Sequence, residues 1–268
     1  MDGADGFESY RINTDDEQVR LEQERLLILA RVIDPTTRAA LAGLVQPGWH
    51  CCDVGSGAGT VVAWLADHVG AEGRVLSIDV DCRFQPASSG NVEVRQTDVT
   101  AEPIGEAEFD LVHARGVLQH IAQREQVLAA MVTATRPGGW VVVTDVDWIQ
   151  FDTQAIPEPF ATLSATMRGF SVQQHGYDGE WGRRLITAFT AAGLTHVDAT
   201  GHAWTMHGGT DSAEWYVGAL DRALPLIPRE IFPDGFEPEA AIAQAREPDF
   251  AILSPTSVTC IGQKPARP

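Results

Sequence analysis

Apolar positions change period several times along the chain, and each change marks an element. Thr14-Asp15-Asp16-Glu17 reads as a capping box, and Val19, Leu26, Ala30 and Ile33 then fall on one helical face through Arg31. Asp34-Pro35 supplies an N-cap and an N1 proline, so a second helix is expected to about Val45, with a turn at Pro47-Gly48. From there short apolar runs alternate with helical stretches. Strands are expected over residues 49–54, 74–78, 91–96, 109–114 and 140–146. Helices are expected over 60–69 and 124–135, and Pro137-Gly138-Gly139 reads as a turn. This alternation predicts a doubly wound, parallel α/β sheet. After Trp148 the pattern loosens. A helix over 179–192 closed by Gly193, a strand from about His196, helical segments over 212–224 and 238–245, and a last strand over 257–262 complete the expectation.

Composition narrows the partners. The 268 residues carry 37 Asp and Glu against 19 Lys and Arg, a formal charge of −18, and no basic stripe offsets it. Such a field repels polyanions, so a nucleic acid substrate is not expected. Cys51, Cys52, Cys82 and Cys260 show neither CxxC spacing nor a disulfide framework, which fits reduced thiols. The acidic N-terminus lacks the apolar core of a signal peptide, and no apolar stretch approaches the ~20 residues of a membrane span. A soluble, cytoplasmic protein is expected, without a membrane partner and without a metal, since no His, Asp or Glu pair has ligand spacing. Homodimerisation is left open.

The sharpest chemical signal is Asp53-Val54-Gly55-Ser56-Gly57-Ala58-Gly59-Thr60, between the first strand and its helix. Glycines there let the backbone take positive φ and approach a ligand closely, while the helix start offers unpaired N–H groups to an anion. The spacing is GxGxG rather than GxGxxG, which disfavours a nicotinamide dinucleotide. Asp53, two residues before the first glycine, would repel a pyrophosphate but suits an ammonium or sulfonium. Asp79 ends the second strand, where a carboxylate can accept both ribose hydroxyls, and Asp98 follows the third, within reach of an adenine amine.

As an ordered set, this loop, Asp79, Asp98, the Phe109-Asp110-Leu111-Val112 strand and Arg136-Pro137-Gly138-Gly139 resemble the class I S-adenosylmethionine (SAM)-dependent methyltransferases of the small-molecule type. The resemblance spans residues 49–146 and weakens from 179 onward. It implies a seven-stranded Rossmann-like sheet with a seventh strand inserted antiparallel, which the final two strand signals supply, and SAM as cofactor. It implies a methionine site shaped by Gly55, Gly57 and Gly59, the ribose on Asp79 and adenine on Asp98. Asp53, Val99, Ala114 and Arg115 complete the implied cofactor set, with Tyr10 from an N-terminal cap. The division expected is a helical cap over 1–47, a SAM-binding core over 48–147, and the rest of the core with lid insertions over 148–268. One departure stands out: only eleven residues, with Pro86 and Ser88-Ser89-Gly90, separate Asp79 from Asn91, so a loop is expected where the family has a helix.

Methyl transfer from a sulfonium is an in-line displacement with a good leaving group, so positioning and water exclusion outweigh any catalytic motif. Motifs for amino-adenine, cytosine C5 and protein arginine methylation are missing. His120 leads the candidate bases, with His113 beside it and His175 further on, while His202 and His207 are additional histidines of the same kind. Thirteen of the twenty aromatic residues lie from Trp148 onward, which places an apolar, partly aromatic acceptor pocket there. A specialised metabolite is the expected acceptor, with a hydroxyl favoured over nitrogen or carbon. The alternative is a SAM-binding enzyme of the same fold that catalyses a cyclisation or rearrangement without methylating.

Overall fold

The computed structural model describes residues 16–85, 88 and 90–266. Its first element, α1 (Asp16–Ala42), runs without a break through Pro35, where two helices were expected. Pro35 removes one backbone donor, yet helix on both sides of it is held by burial of Ala30, Ile33 and Leu41. Asp34 does not cap a new helix. Its carboxylate takes Arg38 one turn on, at 2.7 Å, and Arg115 from the sheet. Thr14 of the expected capping box lies outside the described residues.

The alternating region folds as its periodicity indicates. β1 (His50–Val54), α2 (Thr60–Val69), β2 (Arg74–Asp79) and β3 (Val92–Gln96) are followed by β4 (Phe109–Arg115), α3 (Arg124–Ala134) and β5 (Thr135–Asp147). Between β2 and β3 the described residues hold only a 3-10 turn, Cys82–Phe84, in place of a helix. The expected turn at Pro137-Gly138-Gly139 is instead the irregular start of β5. Gly138 takes φ 81°, and the pairing with β4 shifts register between Phe109 and Leu111.

After β5 come α4 (Ile149–Thr153), α5 (Phe160–His175), α6 (Trp181–Ala191), β6 (Thr195–His202) and β7 (Thr205–His207). Then α7 (Asp211–Ala223), α8 (Pro238–Arg246), β8 (Ala251–Leu253) and β9 (Thr256–Gln263) complete the chain. The main sheet has seven strands in the order β3-β2-β1-β4-β5-β9-β6. The first five pair in parallel, and β9 lies antiparallel between β5 and β6. Strand order reverses between β1 and β4, and in open sheets of this kind a ligand crevice lies outside the carboxyl ends at that reversal.

Three apolar clusters hold the layers. On one face, Cys52, Val54, Val112, Ala114, Val141 and Val143 pack with Leu128 and Met131 of α3 and Leu185 and Phe189 of α6. On the other, Cys51, Leu111 and Val142 meet Leu41 of α1 and Val62 and Leu65 of α2. Beyond the end of β5 a separate cluster gathers Trp148, Phe151, Phe160, Trp215 and Tyr216 with residues of α8 and the small β7–β8 sheet, and Ile28, Leu29 and Val32 of α1 pack against it. No helix among the described residues is long and apolar enough to cross a membrane.

Candidate functional site

The glycine loop closes the crevice end of β1. Gly55, Gly57 and Gly59 all adopt left-handed backbone, at φ 67°, 53° and 73°. Gly55 and Ser56 donate to the Ile78 carbonyl at 2.7 and 3.2 Å, tying the loop to β2. A Cβ on Gly55 would stand 2.3 Å from Val117 Cγ2, so the loop after β4 fits only against glycine. Gly59 caps α2, and no side chain bonds the N–H groups of its first turn. Those donors, with the helix dipole behind them, favour a carboxylate.

Two carboxylates border this loop. Asp79 accepts from Gly57 N–H at 2.8 Å through Oδ2 and from Asp81 N–H at 3.0 Å through Oδ1. Burial pushes its pKa up, against the pull of those backbone donors. Each carboxylate oxygen has a second lone pair, so Asp79 retains capacity for a diol. Asp98 accepts both the N–H and the hydroxyl of Thr100 through Oδ1, and Val99 beside it packs on the core. Gln85, in the short segment after β2, donates from Nε2 to Ser56 Oγ at 3.1 Å and also bonds Ser77. Sequence reading passed over Gln85, although it latches the short segment between β2 and β3 onto the glycine loop.

Four of the expected site residues are engaged or buried within the fold itself. His113 is fully buried in β4, with Nδ1 2.6 Å from Oδ1 of Asp53, its partner in the register of the two strands. A base needs a path to its substrate, and this histidine has no exposed surface. Asp53 is buried as well, and its Oδ1 holds His113 beneath the loop. Arg115, expected in the cofactor set, is paired with Asp34 and pins α1 across the sheet. Ala114 is wholly buried on the opposite face. Tyr10 lies outside the described residues. His175 ends α5, and its side chain lies outside them too.

His120 is placed differently. Gly116 (φ 64°) turns the chain out of β4, and a 3-10 turn, Leu118–His120, ends on the half-buried His120 just past the carboxyl end of that strand. Burial pushes its pKa down to about 4, helped by the charges of Arg25 and Arg124, so the ring is neutral at physiological pH. Gln119 Oε1 accepts from Val146 N–H, which leaves the amide nitrogen of Gln119 to donate to His120 Nε2 at 3.0 Å. The Tyr177 ring is 5.1 Å away. Asp145 sits behind this turn and accepts from Val117 N–H at 3.1 Å through Oδ1. Its Oδ2 is buried without a partner, and burial pushes its pKa up to about 8. Neither Gln119 nor Asp145 belongs to a recognisable motif.

The aromatic cluster packs as a buried core beyond the end of β5. Trp148 lies 4.8 Å from Tyr216 and 6.4 Å from Trp215, and its indole N–H donates to Tyr177. α1 roofs the glycine loop, with Leu26 in van der Waals reach of Gly57. A cleft of about 180 Å³ borders the Asp98 corner at Val99 and Thr100, and one of about 400 Å³ runs between α1 and β6. Neither is lined by Gly57, Asp79 or His120, which stand at or just past the carboxyl ends of β1, β2 and β4.

Residues 52–143 match the family described as methyltransferase domain. Methyltransferase str3 of Strobilurus tenacellus is 27% identical over 65% of this chain and 61% of its own length. A 37.1 kDa protein in transposon TN4556 of Streptomyces fradiae is 30% identical over 56% of this chain and 44% of its own. The chain spans about half the length of the curated relatives it matches. Among solved structures, phosphoethanolamine N-methyltransferase 2 of Haemonchus contortus in complex with SAM superposes with a TM-score of 0.56 at 14% identity. It covers 99% of this chain and 61% of that one. The YcgJ protein of Bacillus subtilis gives 0.54 at 11% identity, covering 86% and 97%. At such identities these structures establish the fold.

Proposed function

On the premise that residues 52–143 form a class I SAM-dependent methyltransferase domain, we propose that the chain moves the methyl group of SAM to a small organic acceptor. The observation that carries this is the cradle itself: three left-handed glycines, an uncapped helix start, and Asp79 bonded to the loop it borders. When bound there, SAM supplies an electrophilic methyl on a sulfonium that departs as a neutral thioether.

The chain's own residues do the rest. The first turn of α2 holds the amino acid carboxylate, Asp79 accepts the ribose hydroxyls, and Asp98 accepts the adenine amine. Residues 1–47 act as the cap and 48–147 as the cofactor core, and 148–268 add the lid that receives the acceptor. α1 excludes water from the loop beneath Leu26. An acceptor hydroxyl takes the place of the Gln119 amide at His120 Nε2, and that lone pair removes its proton as the new bond to carbon forms. The aromatic wall supports an apolar, partly aromatic acceptor, and the −18 charge argues against nucleic acid.

The test is incubation with methyl-labelled SAM and a library of small aromatic hydroxyl compounds. Label in a small product supports transfer. Conversion of a library member without label would favour the rearrangement chemistry, and absence of SAM binding would remove the assignment.

A further inference from the structure

The segment that leaves β2, described over residues 80–85, carries one 3-10 turn, Cys82–Phe84. Phe84 is buried, and Asp81 caps the turn by accepting from Arg83 N–H at 3.1 Å. At the far end Gln85 reaches back to the sheet. Its Nε2 donates to Ser56 Oγ at 3.1 Å, and its Oε1 accepts from the Ser77 hydroxyl. Ser56 Oγ and Ser77 Oγ are themselves 2.6 Å apart, which requires a hydrogen between them. The Ser77 proton goes to Gln85, so that hydrogen belongs to Ser56. The three side chains therefore close a ring in which each donates once and accepts once. Both serines are buried, and there a closed ring holds its members more firmly than isolated bonds would.

This ring stands next to Asp79. Ser77 precedes Asp79 by two residues on β2, so the two side chains share a face of that strand. Ser56 adjoins Gly57, whose N–H donates to Oδ2 of Asp79. Gln85 closes the segment that begins at Asp81, whose N–H donates to Oδ1. Each oxygen of the carboxylate is thus aimed by a different piece of chain, and the Gln85 amide fastens those two pieces together. The glycine loop has a further tie, from Gly55 and Ser56 N–H to the Ile78 carbonyl. The piece after β2 is short, and Gln85 is its anchor on that loop.

We propose that Gln85 is a positioning residue for the cofactor: through its ring with Ser56 and Ser77 it sets the angle at which Asp79 meets the ribose hydroxyls. The proposal rests on the cofactor reading given above. A diol is gripped in two places only when both carboxylate oxygens face it, and hydrogen bonds weaken steeply as their angles close. Gln85 acts through Asp79, so its effect on cofactor binding exists only while that carboxylate is present.

The experiment is a double-variant cycle on the full chain, read as S-adenosylhomocysteine affinity by calorimetry. Gln85→Met keeps the side chain's length and removes both of its ring bonds. A loss of ~10-fold is expected, the scale of one buried hydrogen bond. On an Asp79→Asn background the same substitution changes affinity by less than about twofold, because the carboxylate to be aimed is gone. Ser77→Ala opens the ring from within the strand and is expected to repeat both results; it carries the test if Gln85→Met does not fold in urea titrations. An equal loss in the two backgrounds overturns the proposal, since it would give Gln85 a general structural role. Unchanged affinity in both Gln85→Met and Ser77→Ala overturns it as well. Absence of binding to the unmodified chain is a separate failure, which removes the cofactor reading before any variant is made and the proposal with it.

Discussion

Gly55→Ala tests how the glycine loop and the loop after β4 are fitted together. The added Cβ meets Val117 Cγ2 at 2.3 Å, with Cγ1 and Cβ at 3.2 and 3.3 Å, well inside normal carbon contact. Val117 is poorly free to yield, because its N–H is bonded to the Asp145 carboxylate inside the sheet edge. Left-handed backbone at residue 55 costs about 1–2 kcal/mol for any side chain, and relieving the overlap by overpacking costs a further ~1–3 kcal/mol. A loss of about 3 kcal/mol is therefore expected in urea unfolding, with weakened binding of S-adenosylhomocysteine. Val117→Ala removes both Cγ atoms and leaves the new contact at the Val117 Cβ distance of 3.3 Å. In the double variant the overlap is relieved and the backbone strain remains, so the cycle shows a favourable coupling of ~1–3 kcal/mol. A Gly55→Ala protein of unchanged stability, or a strictly additive double variant, refutes the reasoning.

Three other outcomes follow from the site. The His120 imidazole, followed by NMR, titrates near pH 4 because of its burial and the charges of Arg25 and Arg124; a midpoint near the ordinary 6.5 contradicts its placement. Asp145, raised to about 8, holds its proton in the folded state where the unfolded chain has lost it. Its contribution to stability thus falls as pH rises from about 4 to about 8, by at most about 1.4 kcal/mol per pH unit, and levels off above. Asp145→Asn keeps the acceptor for Val117 N–H and should flatten that slope in urea titrations from pH 6 to 8; an unchanged slope assigns it to other groups. Asp53→Ala leaves the His113 imidazole buried without its partner, and a cost of about 2 kcal/mol is expected in thermal or urea unfolding. A change under 0.5 kcal/mol would show that the pair contributes little.

Much of the core was legible because period and punctuation agree there. The helix over residues 60–69 coincides with α2, since four apolar residues on one face follow a glycine in left-handed backbone. The loop after β2 was legible from its length and its proline. α1 was misread as two helices because Asp34-Pro35 is a strong local signal, and the partners that override it, Arg38 and Arg115, include one 81 residues away. α5 was overlooked: its buried Phe160, Leu163 and Met167 keep helical spacing, but small and polar residues dilute the stripe. At the site, glycine and carboxylate positions could be read because motif spacing fixes them. The fate of His113 could not, since pairing with Asp53 depends on the register of two strands 60 residues apart. Gln119 and Asp145 carry no sequence signal, for what marks them is a hydrogen bond made or left unmade among the described residues.

The most direct measurement is a calorimetric titration of the full chain with S-adenosylhomocysteine, repeated on Asp79→Asn. That variant keeps an acceptor for Gly57 N–H while removing the charge that the ribose hydroxyls would meet. The account predicts one-site binding in the unmodified chain and a loss of ~10–100-fold in affinity on substitution. Absence of heat in the unmodified chain, or equal affinity in both, contradicts it.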